Sequence, residues 1–141
     1  MKINTEKFGT IEFEERAVIS FSEGVLGFQK CKDYILLNAD ENSPFKWLQS
    51  IEDMSLAFLL IDPNTFKQDY KVKLDNSAKE ALGISTKEDF AVFVIVVIQK
   101  DPTKSTANLL GPIVLNVKNQ KAKQLVLNDT DYSTKHLLIG G

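Results

Sequence analysis

Nine consecutive apolar residues, Phe90-Ala91-Val92-Phe93-Val94-Ile95-Val96-Val97-Ile98, constrain this chain more than any other stretch of it. The run is about half the ~18–20 residues that a membrane-spanning helix needs. It is dominated by β-branched side chains, which suit a pleated surface better than a helix. A strand that is apolar without alternation has both faces covered, so the run predicts a central strand buried on two sides. Asp89 and Lys100 flank it as charges that oppose aggregation.

The rest of the chain is cut into short apolar pieces by turn signals. These are Gly9, Gly24 with Gly27, Ser43-Pro44, Asp62-Pro63-Asn64, Gly83, Asp101-Pro102 and Gly111-Pro112. Such near-regular spacing points to an all-β barrel or sandwich. Ile11 and Phe13 alternate with polar neighbours, as in a half-buried strand. Further strands are expected at 18–21, 34–37, 47–49 and 56–61. A hairpin is expected from 113–117 and 122–127, closed near 118–121. Ser77 and Glu80 have capping-box spacing, and Gly83 suits a left-handed helix end, which predicts one helix of about two turns. The wide interval from Asp62 to Phe90 holds this helix and a long, partly extended excursion. The expected architecture is one mostly-β domain spanning 1–141, a compact β-barrel-like fold with one short helix.

Composition narrows the functional classes. With 43% hydrophobic and 26% charged residues the chain is globular rather than disordered. At 141 residues it buries enough surface to need no disulfide or metal staple. Its one cysteine, Cys31, cannot form an internal bridge, which favours a reducing compartment. The first residues lack the apolar stretch of a signal peptide. A cytoplasmic protein is the expectation. The net charge of −2 conceals an asymmetry: residues 1–70 carry 12 acids against 7 bases, and residues 71–141 carry 7 acids against 10 bases. An acidic first half suits a basic protein partner better than a phosphate backbone.

Catalytic constellations are missing from the sequence. The single histidine, His136, sits near the C-terminus and reads as a solvated side chain. One His and one Cys cannot assemble the usual zinc site. The neighbouring carboxylates Glu14-Glu15, Asp40-Glu41, Glu52-Asp53 and Glu88-Asp89 point to opposite sides of an extended chain, which makes them poor acid–base pairs. Ser50 lies in no nucleophile elbow. Gly24-Val25-Leu26-Gly27-Phe28 matches neither a Walker loop nor a dinucleotide fingerprint. It reads first as a tight loop with glycine at positive φ, and alternatively as a loop that presents Leu26 and Phe28 to a partner. Lys118, Lys121 and Lys123, with Lys104 and Lys135, lack interleaved aromatic residues and suit a protected hairpin tip better than an RNA platform. No enzyme activity, metal or cofactor is expected.

Several segments in order carry a family resemblance. They are Phe8-Gly9 with Ile11; Phe21 followed by Glu23-Gly24-Val25-Leu26-Gly27-Phe28; Pro44-Phe45 with Trp47-Leu48-Gln49-Ser50; Ala57-Phe58 with Ile61-Asp62-Pro63; Asn108-Leu109-Leu110-Gly111-Pro112-Ile113; and Gln124 with Tyr132. Together they resemble the flagellar assembly factor FliW family from about Phe8 to His136. The chain has Val25-Leu26 where the family more often has Leu-Pro, and Gly111 where it more often has Ala.

The resemblance implies a compact β-barrel-like fold, a bacterial cytoplasm and two protein partners. One is flagellin, held before export. The other is CsrA, the mRNA-binding repressor of flagellin translation, which competes with flagellin and is captured when flagellin leaves. On that reading Glu41, Glu52, Asp53 and Asp62 supply a negative field toward CsrA. Phe28, Phe45 and Phe66 are the expected apolar anchors, and Gln49 and Asn108 the residues fixing backbone contacts. Trp47 and Phe58 are expected in the core. An edge strand is a further means of holding an extended tail. A monomer without direct nucleic-acid or membrane contact is expected. Two other functions fit a small β-barrel: a flavin or nucleotide binder, and an RNA-binding barrel of OB type.

Overall fold

The computed structural model describes residues 1–85, 90–128 and 130–138. Glu88 and Asp89, read above as a carboxylate pair and a flanking charge, lie outside the described residues. In chain order the elements are β1 (Lys2–Thr5), β2 (Gly9–Glu12), β3 (Ile19–Phe21), β4 (Asp33–Asn38), β5 (Phe45–Ser50), β6 (Ala57–Ile61), α1 (Asn76–Leu82), β7 (Phe90–Val97), β8 (Thr106–Ala107), β9 (Ile113–Asn116), β10 (Lys121–Gln124) and β11 (His136–Leu137).

Strands β3-β4-β5-β6-β7-β9-β10 close into a seven-stranded barrel in a single mostly-β domain. Every neighbouring pair is antiparallel except β3 with β10, where Ser20 and Phe21 lie beside Lys121 and Ala122 in parallel. Closure removes most free edges, which an open sheet of these short strands would expose.

Strand β7 explains why its sequence is apolar throughout. One edge pairs with β6. The other pairs first with β9, from Phe90 to Phe93, and then with β8 at Val96 and Val97. Successive side chains point to opposite faces. Phe93 joins the barrel interior with Ile19, Phe21, Val25, Tyr34, Leu48, Leu60 and Ile113. Val94 and Val96 face outward into a second cluster with Ile61, Tyr70, Ala107 and Leu109. The strand is thus covered on both sides over its middle, as its sequence requires. The cover ends at Val97 and Ile98, which are exposed.

The long interval after β6 is the outer layer. It passes through a 3-10 turn at Pro63–Thr65, packs Tyr70 and Val72 on the outside of β7, and enters α1. The helix cap differs from the expected Ser77. Asp75 occupies that place, its carboxylate accepting a hydrogen bond from the Ala78 N–H at 2.8 Å. Gly83 ends the helix in the left-handed conformation, as expected. Asn116 then ties the helix end to the β9–β10 hairpin, donating to the Leu82 carbonyl at 2.7 Å and accepting from the Lys118 N–H at 2.9 Å.

Strands β1, β8 and β11 were not expected, whereas β2 carries the alternation read at Ile11. Hairpin β1–β2 lies against β5, where Phe8 stacks edge-on with Trp47 and the Glu6 N–H donates to the Met54 carbonyl. Strands β8 and β11 extend the sheet beyond β7. His136 belongs to β11 and lies beside the Phe66 ring, 5.9 Å between centroids, instead of being solvated. Among the described residues no helix is long and apolar enough to cross a membrane.

Candidate functional site

The loop after β3 carries the most exposed aromatic feature. Gly24 has φ +70° and its N–H closes a turn onto the Phe21 carbonyl. Val25 drops into the core, 1% exposed. A second tight turn, the Phe28 N–H donating to the Val25 carbonyl at 2.7 Å, leaves Leu26 and Phe28 facing solvent. A Cβ on Gly24 would stand 2.6 Å from the Gln29 Cα, so only glycine allows this crossing. Phe28 is 44% exposed and meets Phe58 of β6 edge-to-face, 5.2 Å between centroids. Phe58, half-buried, continues inward to Tyr34 at 6.2 Å.

The carboxylates Glu52 and Asp53 stand at the same end of the barrel. The Ser50 hydroxyl accepts hydrogen bonds from both of their N–H groups and fixes the turn. Glu52 spends one oxygen on the adjacent strand, accepting from the N–H groups of Lys32 and Asp33 at 2.7 and 2.8 Å. Asp53 accepts from the Ser55 hydroxyl and amide, which hold its carboxyl below the usual carboxylate range. Tyr34 is fully enclosed and its hydroxyl has no hydrogen-bond partner among the described residues. Burial pushes its pKa well above the ordinary phenol value, and Cys31, Glu52 and Asp53 nearby add to the shift.

The nine site residues expected from sequence do not form one surface. Phe28, Glu52 and Asp53 gather at the end of the barrel where β4 begins and β5 ends. Glu41, Phe45 and Asp62 lie at the opposite end, one length of β5 away, or about 17 Å. Phe45 and Phe66 are half-buried and pack on the outer cluster. Asp62 caps the 3-10 turn, accepting from the Asn64 N–H at 2.9 Å. Glu41 is exposed in the β4–β5 turn.

Gln49 and Asn108 serve their own chain. Gln49 is 0% exposed, and its amide donates to the Ser50 carbonyl at 2.9 Å. Asn108 accepts from the N–H groups of Leu110 and Gly111, shaping the turn into β9. Trp47 is half-buried on the outside of β5, beneath Phe8 and with the Lys7 ammonium 4.4 Å from its ring centroid. Sequence reasoning did not single out Tyr34. The signal was present in its place opposite Ser50, two residues before the paired acids, but register is needed to see it.

Among the described residues no group of three or more His, Cys, Asp or Glu side chains converges on a metal position. What the first end offers is an aromatic ring facing solvent beside carboxylates held by backbone N–H groups. Such an arrangement suits docking of a protein.

Comparison with known proteins places this geometry. The FliW protein family pattern matches residues 2–138. The flagellar assembly factor FliW of Bacillus subtilis (strain 168) is 42% identical over 141 residues, covering all of this chain and 98% of the relative. That of Thermoanaerobacter pseudethanolicus is 41% identical over 140 residues, covering 99% of this chain and 93% of the relative. A crystal structure of the flagellar assembly factor FliW superposes with a TM-score of 0.94 at 37% identity, covering 100% of this chain and 99% of that one.

Proposed function

The chain belongs to the FliW family of flagellar assembly factors, a family without enzymatic activity, and from that premise we propose that it works in the cytoplasm by holding flagellin and, in turn, CsrA. Capturing CsrA relieves repression of flagellin translation. The two partners compete, so export of flagellin frees the chain for CsrA.

The observation that supports this reading is the pairing of Phe28 with Glu52 and Asp53 at one end of the barrel. An exposed ring backed by a second ring supplies an anchor that is already ordered, so docking immobilises little. The carboxylates beside it favour a basic partner and oppose the phosphate backbone of any RNA on that partner. Glu41 and Asp62, at the far end, belong to a wider negative surface in the same proposal. Gln49 and Asn108 support the docking surface from within.

Size-exclusion chromatography of the purified chain with CsrA, with flagellin and with both tests the proposal. Stoichiometric co-elution with each partner alone, and displacement of one by the other, is the expected result. A stable ternary complex rules out the competition.

A further inference from the structure

The barrel wall has a gap beside β10. Strand β3 runs parallel to β10 but stops at Phe21, and the chain then turns away at Gly24. The β10 chain carries on. Leu125 and Leu127 direct their N–H groups to the carbonyls of Pro112 and Leu110, at 2.8 and 2.9 Å. In extended backbone the residue between them points its N–H and C=O the other way. That residue, Val126, is 57% exposed and makes no hydrogen bond among the described residues. Where a longer β3 would lie there is a groove of about 700 Å³, walled by Leu26 on one side and by the Lys71 to Ala78 stretch on the other.

The charges of this groove favour one kind of occupant. Its acids are engaged within the chain: Glu23 pairs with Lys123 at 3.6 Å, and Asp75 caps α1. Lys71 and Lys73, exposed on the same wall, have no ion-pair or hydrogen-bond partner among the described residues. An open backbone edge accepts an extended chain, exposed Leu26 and Val126 offer apolar contact, and two unmatched cations call for acids.

We propose that this groove takes up an extended, acidic segment of a partner protein as an added strand along residues 124–128, with alternate apolar side chains toward Leu26 and Val126 and carboxylates toward Lys71 and Lys73. Of the loop that presents Leu26 and Phe28, only Leu26 reaches this groove, and Phe28, Glu52 and Asp53 lie outside it, so it is a second surface that stands or falls separately.

The test uses the full chain and a short blocked peptide of alternating glutamate and valine, followed by titration calorimetry and by the NMR shift of the Val126 amide. Two controls accompany it: a lysine–valine peptide, and the glutamate–valine peptide methylated on every second backbone nitrogen. Saturable binding that moves the Val126 amide is expected. It should fall at least tenfold with Lys71→Glu plus Lys73→Glu and with backbone methylation, and be unchanged by Phe28→Ala. Both lysines are exposed, so an unchanged melting temperature will show that the variant is folded. Absence of saturable binding, equal binding of the lysine–valine peptide, or indifference to methylation overturns the proposal.

Discussion

The ring of Phe28 stands edge-on to that of Phe58, with planes at 76° and centroids 5.2 Å apart. An exposed residue is thereby coupled to a side chain that packs against the barrel core. An aromatic pair in this geometry contributes about 0.5–1.5 kcal/mol beyond its area. Phe28→Ala is therefore expected to lower stability by no more than about 1–2 kcal/mol, read from a urea transition. Its effect on capture should be larger, a loss of at least about tenfold in CsrA affinity by calorimetry. Unchanged affinity would remove Phe28 from the docking surface.

Two enclosed tyrosines treat their hydroxyls differently, and phenylalanine distinguishes them. The Tyr70 hydroxyl donates to the Leu109 carbonyl at 2.6 Å. That of Tyr34 has no partner among the described residues. Tyr70→Phe should cost about 1–2 kcal/mol, because it also strands a buried carbonyl. Tyr34→Phe removes an unmatched polar atom and should be neutral or stabilising within about 1 kcal/mol. Matched urea transitions of the two variants provide the comparison.

The same tyrosines make stability fall at high pH. Burial raises both pKa values above the ordinary phenol value, with Cys31, Glu52 and Asp53 adding to Tyr34 and Tyr132 adding to Tyr70. A raised folded-state pKa means the unfolded chain loses its protons first. Their contribution is complete below about pH 10 and is lost as pH rises from there toward the folded values, at up to about 1.4 kcal/mol per pH unit for each. Tyr34→Phe should flatten this slope in denaturant titrations across that range. A slope unchanged by that substitution would show that other groups cause the loss.

The fold was legible where local chemistry and tertiary context agree. The apolar run at 90–98 called for cover on two faces, and from Ala91 to Val96 the barrel interior covers one face and the outer layer the other, while Val97 and Ile98 stay exposed. Gln49 shows the opposite case. Its short strand-like setting, Trp47-Leu48-Gln49-Ser50, does not reveal which face is solvated. In the fold Gln49 is enclosed and its amide donates to the carbonyls of Ser50 and Met54, at 2.9 and 3.4 Å, contacts that the local pattern does not reveal. Phe45 and Phe66 were sought on a surface for the same reason. The excursion after β6 carries Phe66 back onto the outer cluster on which Phe45 also packs, and that return is long-range information absent from local pattern. Phe28 was legible because two glycines around Val25-Leu26 allow a loop too tight to bury all of its apolar side chains.

Glycine substitutions separate the two positions of that loop. Gly24 and Gly27 both have positive φ, but a Cβ at 24 meets the Gln29 backbone while a Cβ at 27 meets nothing within 4 Å. Gly27→Ala should cost about 1–2 kcal/mol, the left-handed penalty alone. Gly24→Ala should cost about 3 kcal/mol or more, since backbone must move as well. Denaturant titration of both variants gives the ordering; equal costs would mean the loop relaxes freely.

The last prediction concerns charge without shape. Glu52→Gln and Asp53→Asn keep an oxygen where Lys32, Asp33 and Ser55 donate, so the turn should persist with stability changed by about 1 kcal/mol or less. What they remove is the negative field. If that field steers a basic partner, the double variant will associate with CsrA several-fold more slowly at low salt, and its rate will depend less steeply on ionic strength. Dissociation should change less, because exposed charges act mainly on encounter. Stopped-flow association at low and high salt measures both quantities. An association rate that keeps its original salt dependence would place the partner's basic surface elsewhere on the barrel.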